Sequence, residues 1–340
     1  MRLGTTTISM NTNETNIPLP PSTATQTFLH MQQPLDKLPL SKSSTMAIET
    51  QYRIPFEFVV PAEIPHNVCH HPHRHEQVYW GHYQLPPSIG SHSECQLPES
   101  LASEAVKITY SLCFWILKNS PKTGTVRTIA EWTQPVYIRP LRRERPPLLL
   151  PESSNYYCLE KGKAVVGGWC RQLGTLTINT AEPAAILSNS PVTVVTMNLQ
   201  YDAVTGSPLP KIQSIYSKLN CLTFSTPESW TDFPDLMDPS TYPWHHRCDT
   251  RMAPIKPHQL GSVRWELCSP DEHEQTNEFT RYTASISVRI VLPEHTTYCP
   301  TFFSCLVARS YSVQLSLWYS VEGQWTKASK ITVTVPVQIC

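Results

Sequence analysis

The sequence is poor in glycine, has no long apolar run and carries no net charge. Only 11 of its 340 residues are glycine, well under the usual share of about 7%, and glycine is what lets a backbone curl closely around a phosphate. Walker-type and dinucleotide loops are absent, as are a Gly-x-Ser-x-Gly elbow and a His-Glu-x-x-His helix. The longest apolar run, residues 112–117, is far too short to span a bilayer, and the opening MRLGTTTISMNTNETNIPLPP has no signal-peptide core. With 27 basic and 27 acidic side chains, no global field draws in nucleic acid or an anionic membrane. No Cys-x-x-Cys pair occurs among the 11 scattered cysteines, which removes the commonest zinc and redox signatures and reads as reduced thiols in a cytosolic protein. These absences lead to the expectation of a protein that is not an enzyme, needs no cofactor and does not bind nucleic acid.

What the sequence does have is proline, 32 residues of it, a density that forbids long helices and punctuates short strands. Residues 1–26 are rich in Thr, Asn, Ser and Pro without periodicity and read as disordered. In residues 52–60, Phe56, Phe58 and Val60 alternate between Pro55 and Pro61, predicting a strand. A short helix is predicted over residues 99–106. Ile108, Tyr110, Leu112, Phe114 and Ile116 then alternate through a long strand at residues 107–117, and residues 126–139 read as another. Further strands are predicted at 173–178, 192–201, 217–224, 263–267, 282–292, 308–319 and 331–339. Such a run without intervening helices implies an antiparallel sandwich. The echo between TYSLCFWIL at Thr109 and SYSVQLSLW at Ser310, each after a proline-rich turn, suggests two related copies. The expected class is therefore all-β, with two immunoglobulin-like antiparallel β-sandwiches in tandem. The expected boundaries are a disordered 1–26, a first sandwich at 27–140, a linker at 141–154 through LRRERPPLLLP, and a second sandwich at 155–340.

Two clusters could carry chemistry. In Cys69-His70-His71-Pro72-His73-Arg74-His75, with His66 just before it, thiolate and imidazole are good zinc or copper ligands, and an extended chain puts His71, His73 and His75 on one side. The run lacks a second ligand cluster at a defined distance, so the solvated loop is the favoured reading, with Cys69, His70, His71, His73 and His75 as the alternative metal set. A Cys-His nucleophile would need geometry that adjacency does not supply. Arg139, Arg142, Arg143 and Arg145 form the basic cluster and could hold a phosphorylated tail or an acidic lipid head group. Its plainer reading is a solvated connection with Glu144 as counter-charge. Trp230, Trp244, Trp265, Trp318 and Trp325 are too dispersed to make a site and read as core or interface anchors.

The order of FLHMQQPLDKLPL, YRIPFEFVVP, the Cys69-His70 pair and QLPPSIG resembles the fungal arrestin-like, or α-arrestin, proteins. The resemblance continues through KGKAVVGGWCRQLGTLTINTAEP, PVTVVTMNLQYD, SKLNCLTFSTPESWTDFPD, FTRYTASISVRIVLPEHTTYCPTFFSCLVARSYSVQLSLWY and ITVTVPVQIC. It implies two arrestin-type sandwiches and a cytosolic adaptor, recruited to the plasma membrane or endosomes, that links transporter or receptor cargo to a HECT-type ubiquitin ligase and endocytosis. Against the family's pattern the chain reads as shortened in its N-terminal strands and C-terminal tail. It also has no Pro-Pro-x-Tyr segment for a ligase WW domain, since none of Pro20-Pro21, Pro86-Pro87 and Pro146-Pro147 has tyrosine two places on. The alternatives are a Cys/His metal-binding β-sandwich protein and a truncated, non-functional arrestin paralogue.

Overall fold

The computed structural model describes residues 5–9, 23–33, 55–90, 101, 106–119, 124–148, 150, 154–168, 171–187, 190–256, 262–268, 279–293, 297–322 and 328–340. Its architecture is all-β and antiparallel. In the first half, β1 (Thr5–Ser9), β2 (Thr23–Thr27), β3 (Val106–Asn119) and β4 (Val126–Val136) form a four-stranded sheet in the order β2-β1-β3-β4. One short helix, α1 (Glu76–Tyr83), lies between β2 and β3.

The second half is a sandwich of two five-stranded sheets. One sheet joins β5 (Glu160–Val166), β6 (Gln172–Thr180), β7 (Val192–Val204), β10 (Glu266–Leu267) and β11 (Phe279–Val291). The other joins β8 (Lys211–Ser225), β9 (Arg247–Pro254), β12 (Phe302–Phe303), β13 (Val307–Ser320) and β14 (Ser329–Val337). Alternation explains the facing. Along β11, Ile286, Val288 and Ile290 are buried while Ser285, Ser287 and Arg289 are exposed. They meet Val195, Met197 and Leu199 of β7 and, from the opposite sheet, Leu219, Val313, Leu315, Leu317 and Val333 in one core. Each such aliphatic side chain contributes about 1.5–3 kcal/mol on full burial.

The two echoed segments occupy equivalent places in β3 and β13. Tyr110 donates its hydroxyl to the carbonyl of Pro86, and Tyr311 donates to the carbonyl of Cys299 over 2.7 Å. In each case the proline-rich stretch also bridges the strand just before the tyrosine, Ile89 to Ile108 and Phe302 to Arg309. The echo is thus a local device, a buried phenol holding a turn against a central strand. Among the described residues it is not matched by a second pair of facing sheets, since the first half shows a single sheet.

Three expectations change. Residues 1–26 contain β1 and all but the last residue of β2, which pair with each other and, through β1, with β3. Strand-forming threonines found their partner a hundred residues downstream, which composition cannot reveal, so the segment read as disordered supplies two strands. The described part of the predicted 52–60 strand, residues 55–60, pairs with no neighbour among the described residues, and Phe56 and Val59 are exposed. Pro55 and Pro61 lack N–H donors, and Gln33 substitutes for a ladder by accepting from Glu57 N–H (3.2 Å) and donating to the Pro55 carbonyl (3.4 Å). The predicted helix at 99–106 falls mostly outside the described residues, and Val106 already belongs to β3.

Replacing Tyr311 or Tyr110 by Phe leaves a buried carbonyl without its donor and is expected to cost about 1–3 kcal/mol. Urea unfolding of each variant measures this, and a loss under about 0.5 kcal/mol would show that the phenols do not anchor the turns.

Candidate functional site

Residues 62–90 run across the junction of the two halves. Ile64 N–H donates to the Tyr83 carbonyl (2.7 Å), Leu85 N–H to Ala62 (3.1 Å) and Ile89 N–H to Ile108 (3.0 Å), so the segment closes on itself and then joins β3. Within it, α1 ends where Pro86 and Pro87 follow Gln84. Val78 on α1 is buried against Phe224, Trp230 and Phe303 of the sandwich. Across the junction, Arg74 N–H donates to the Thr231 carbonyl (2.9 Å), and Ile89, Tyr110, Cys299, Phe302 and Leu306 share one apolar cluster.

This packing brings four metal-ligating side chains together. One donor atom each from Cys69, His71, His82 and Cys305 lies within 4.8 Å of all the others. Cys69 and His71 stand on the stretch before α1, and His82 is on its last turn. Cys305 sits in the tight turn between β12 and β13, where its carbonyl accepts from Trp230 N–H (2.8 Å) and Ser304 Oγ donates to the Val307 carbonyl (2.7 Å). Cys69 Sγ is 3.3 Å from Cys305 Sγ and 3.0 Å from His71 Nε2. Cys69, His82 and Cys305 are 6%, 1% and 2% exposed, and His71 is half-buried. Tyr83 fixes the loop by donating its hydroxyl to the His66 carbonyl (3.0 Å), with the Cys69 carbonyl also in reach at 3.1 Å.

The two thiols are shifted in opposite directions. The hydrogen bond between them, more than burial, pushes the Cys69 thiol up, and the same bond pulls Cys305 well below the usual thiol range. Burial works to lower His71, but its hydrogen bond to Cys305 and the negative charge there outweigh burial and raise it. His73 is lowered by burial and then by the charges of His71 and His82.

The alternative metal set read from the sequence separates accordingly. Cys69 and His71 belong to the cluster, and His73 packs beside it, its ring 4.5 Å from that of His71 and its Nε2 3.2 Å from Cys69 Sγ. His70 is exposed, and His75 stands at the N-cap position of α1 without a side-chain cap bond, its Nε2 3.9 Å from Asp232. The residues missed by sequence reasoning are His82, hidden in a helix too short to show periodicity, and Cys305, 236 residues from Cys69. The only local signal for Cys305 was its place in the CPTFFSC turn before the second echo.

The arginine segment does not form a common basic surface. Arg142 is buried, donates to Gln84 Oε1 and, over 2.8 Å, to the Leu85 carbonyl, and burial followed by the charge of Arg145 brings its pKa down to about 10. Arg145 lies over Phe303, its guanidinium carbon 4.7 Å from the ring centroid, and donates to the Thr301 carbonyl (3.4 Å). Arg139 and Arg143 are exposed. The solvated-connection reading therefore fails for Arg142 and Arg145, which turn inward to join residues 141–148 to both halves. Beneath Arg145, Tyr157 donates to the buried Asp235 carboxylate over 2.6 Å, and Ser310 stands 3.3 Å from the same phenol.

No protein-family model matches the chain, and no curated protein is similar enough to it to count as a relative. Among the described residues no helix is long and apolar enough to cross a membrane.

Arg142→Ala strands the Leu85 carbonyl and the Gln84 amide and is expected to cost about 2–3 kcal/mol. Arg143→Ala should change stability by no more than about 0.5 kcal/mol. Denaturant unfolding separates them, and equal effects would contradict the inward placement of Arg142.

Proposed function

We propose that the chain is a non-catalytic arrestin-like adaptor that binds cytoplasmic segments of membrane transporters or receptors and brings a HECT-type ubiquitin ligase to them. The order of motifs set out above is one support. The structural observation that carries the reading is the outer end of the β3–β4 ladder. There Phe114 and Trp132 face each other across the pair and are 43% and 54% exposed, on the same strand face that buries Ile108 and Tyr110 nearer the core. Val126 and Ile129 on β4 are exposed as well.

β4 is also an edge strand among the described residues, so its outward N–H and C=O groups offer a template for an added strand. An extended cargo segment pairing there gains main-chain hydrogen bonds from the edge and apolar contact from the aromatic pair. With no Pro-Pro-x-Tyr segment in the sequence, ligase recruitment would run through another surface or an intermediate protein. Association with the membrane is peripheral in this reading, through the cargo.

A photo-crosslinking residue at position 129 in the full chain, expressed in cells of its source, tests this directly. The expected adducts are transporters or receptors, lost at least tenfold in a Phe114→Ser, Trp132→Ser variant whose unfolding midpoint is unchanged, and ubiquitination of the captured cargo should fall in parallel. Adducts confined to proteins without membrane spans, or cargo ubiquitination indifferent to loss of the chain, would overturn the reading.

A further inference from the structure

We propose that Cys69, His71, His82 and Cys305 bind one zinc ion, which ties the segment around α1 to the β12–β13 turn. The inference is independent of the adaptor reading. It rests on donor chemistry and placement. Two sulfurs and two imidazoles are a Cys₂His₂ set, and zinc about 2.3 Å from sulfur and about 2.0–2.1 Å from nitrogen needs its donors roughly 3.3–3.8 Å apart. The separations here, 3.0 Å and 3.3 Å for two of the pairs and none above 4.8 Å, bracket that requirement.

The rest of the molecule leaves these groups few other uses. His82 is buried, and its Nδ1 finds no hydrogen-bond partner among the described residues, a cost that burial of a polar nitrogen does not normally carry uncompensated. Two thiols side by side in an apolar cluster would pack no better than alanine or valine, but as thiolates they are strong soft ligands. A disulfide is the competing use of the pair. The sulfurs stand 3.3 Å apart, against about 2.05 Å for a bond, and a disulfide would give the two imidazoles no role. Four protein ligands close the coordination sphere, which is the pattern of a structural ion and not of one holding a reactive water. Zinc is held by thiolates, so loading the site releases thiol protons to solvent. His73 packs alongside without completing the set.

The test uses the full chain purified without chelator in zinc-containing medium. Metal analysis should give one zinc per chain, and replacement by cobalt should give thiolate-to-metal charge transfer with the intense visible bands of a tetrahedral site. Cys305→Ser and His71→Ala should each lower zinc content at least fivefold, while His70→Ala and His75→Ala keep it. His71 is half-buried, so its variant tests ligation with little damage to the core, and the cobalt spectrum of the unsubstituted chain stands whether or not any variant folds. Zinc below about one-fifth of the chain concentration with no cobalt charge transfer would overturn the proposal. So would a Cys69–Cys305 disulfide found by mass spectrometry in the freshly purified protein, or retention of one zinc by the Cys305→Ser, His71→Ala double variant.

Discussion

The pairing of β13 with β8 along one edge and with β12 and β14 along the other is what the rest of the structure depends on. One face of β13, from Tyr311 through Val313, Leu315 and Leu317 to Tyr319, is buried in the core that joins the two sheets of the sandwich. Its other face carries small hydroxyls that bond to neighbours, Ser312 to Asn220 and Ser316 to Thr332. Because the strand is fixed on both edges, the turn that precedes it is fixed too. That turn is where Tyr311 grips Cys299, where Phe303 receives Val78 and Arg145, and where Cys305 meets Cys69. The first half of the chain is therefore held at the end of a strand whose position the second half has already determined.

Much of that frame was legible in the sequence, because burial on one face writes a period of two into the residues. The alternation through residues 107–117, 282–292 and 308–319 located β3, β11 and β13 to within a few residues. The strands that went unread are those whose environment is not one-sided. β5 and β9 are largely exposed, and β1 and β2 owe their pairing to a distant partner. The reverse error at residues 55–60 has the same cause: Phe56, Phe58 and Val60 alternate as a strand does, but alternation reports a tendency, and between two prolines the segment finds no strand to pair with among the described residues.

The candidate site was legible in half. Cys69 and His71 stood out because they lie in one dense run, and that run also drew attention to His70 and His75, which face solvent. Sequence proximity was a poor guide to which donors converge. The partners that matter are His82, eleven residues on from His71 at the end of a helix, and Cys305 in a turn near the other end of the chain, brought in by the packing of α1 on the sandwich. The arginine segment failed for a related reason. A run of charges with two prolines reads as solvent-exposed, yet Arg142 and Arg145 are drawn inward by backbone carbonyls that the turns around Leu85 and Thr301 leave open.

The central claim is that the segment from residue 62 to residue 90 is held on the sandwich by the Cys/His centre, and native-state hydrogen exchange tests it most directly. In the metal-loaded full chain the amides of Ile64, Leu85 and Ile89 should exchange nearly as slowly as those of β13. Removing metal with a chelator should speed them roughly tenfold or more while leaving β7, β8 and β13 unchanged. Exchange across residues 62–90 that is the same with and without metal would contradict the account, because the junction would then rest on apolar packing and hydrogen bonds such as that from Arg74 N–H to the Thr231 carbonyl, without the metal.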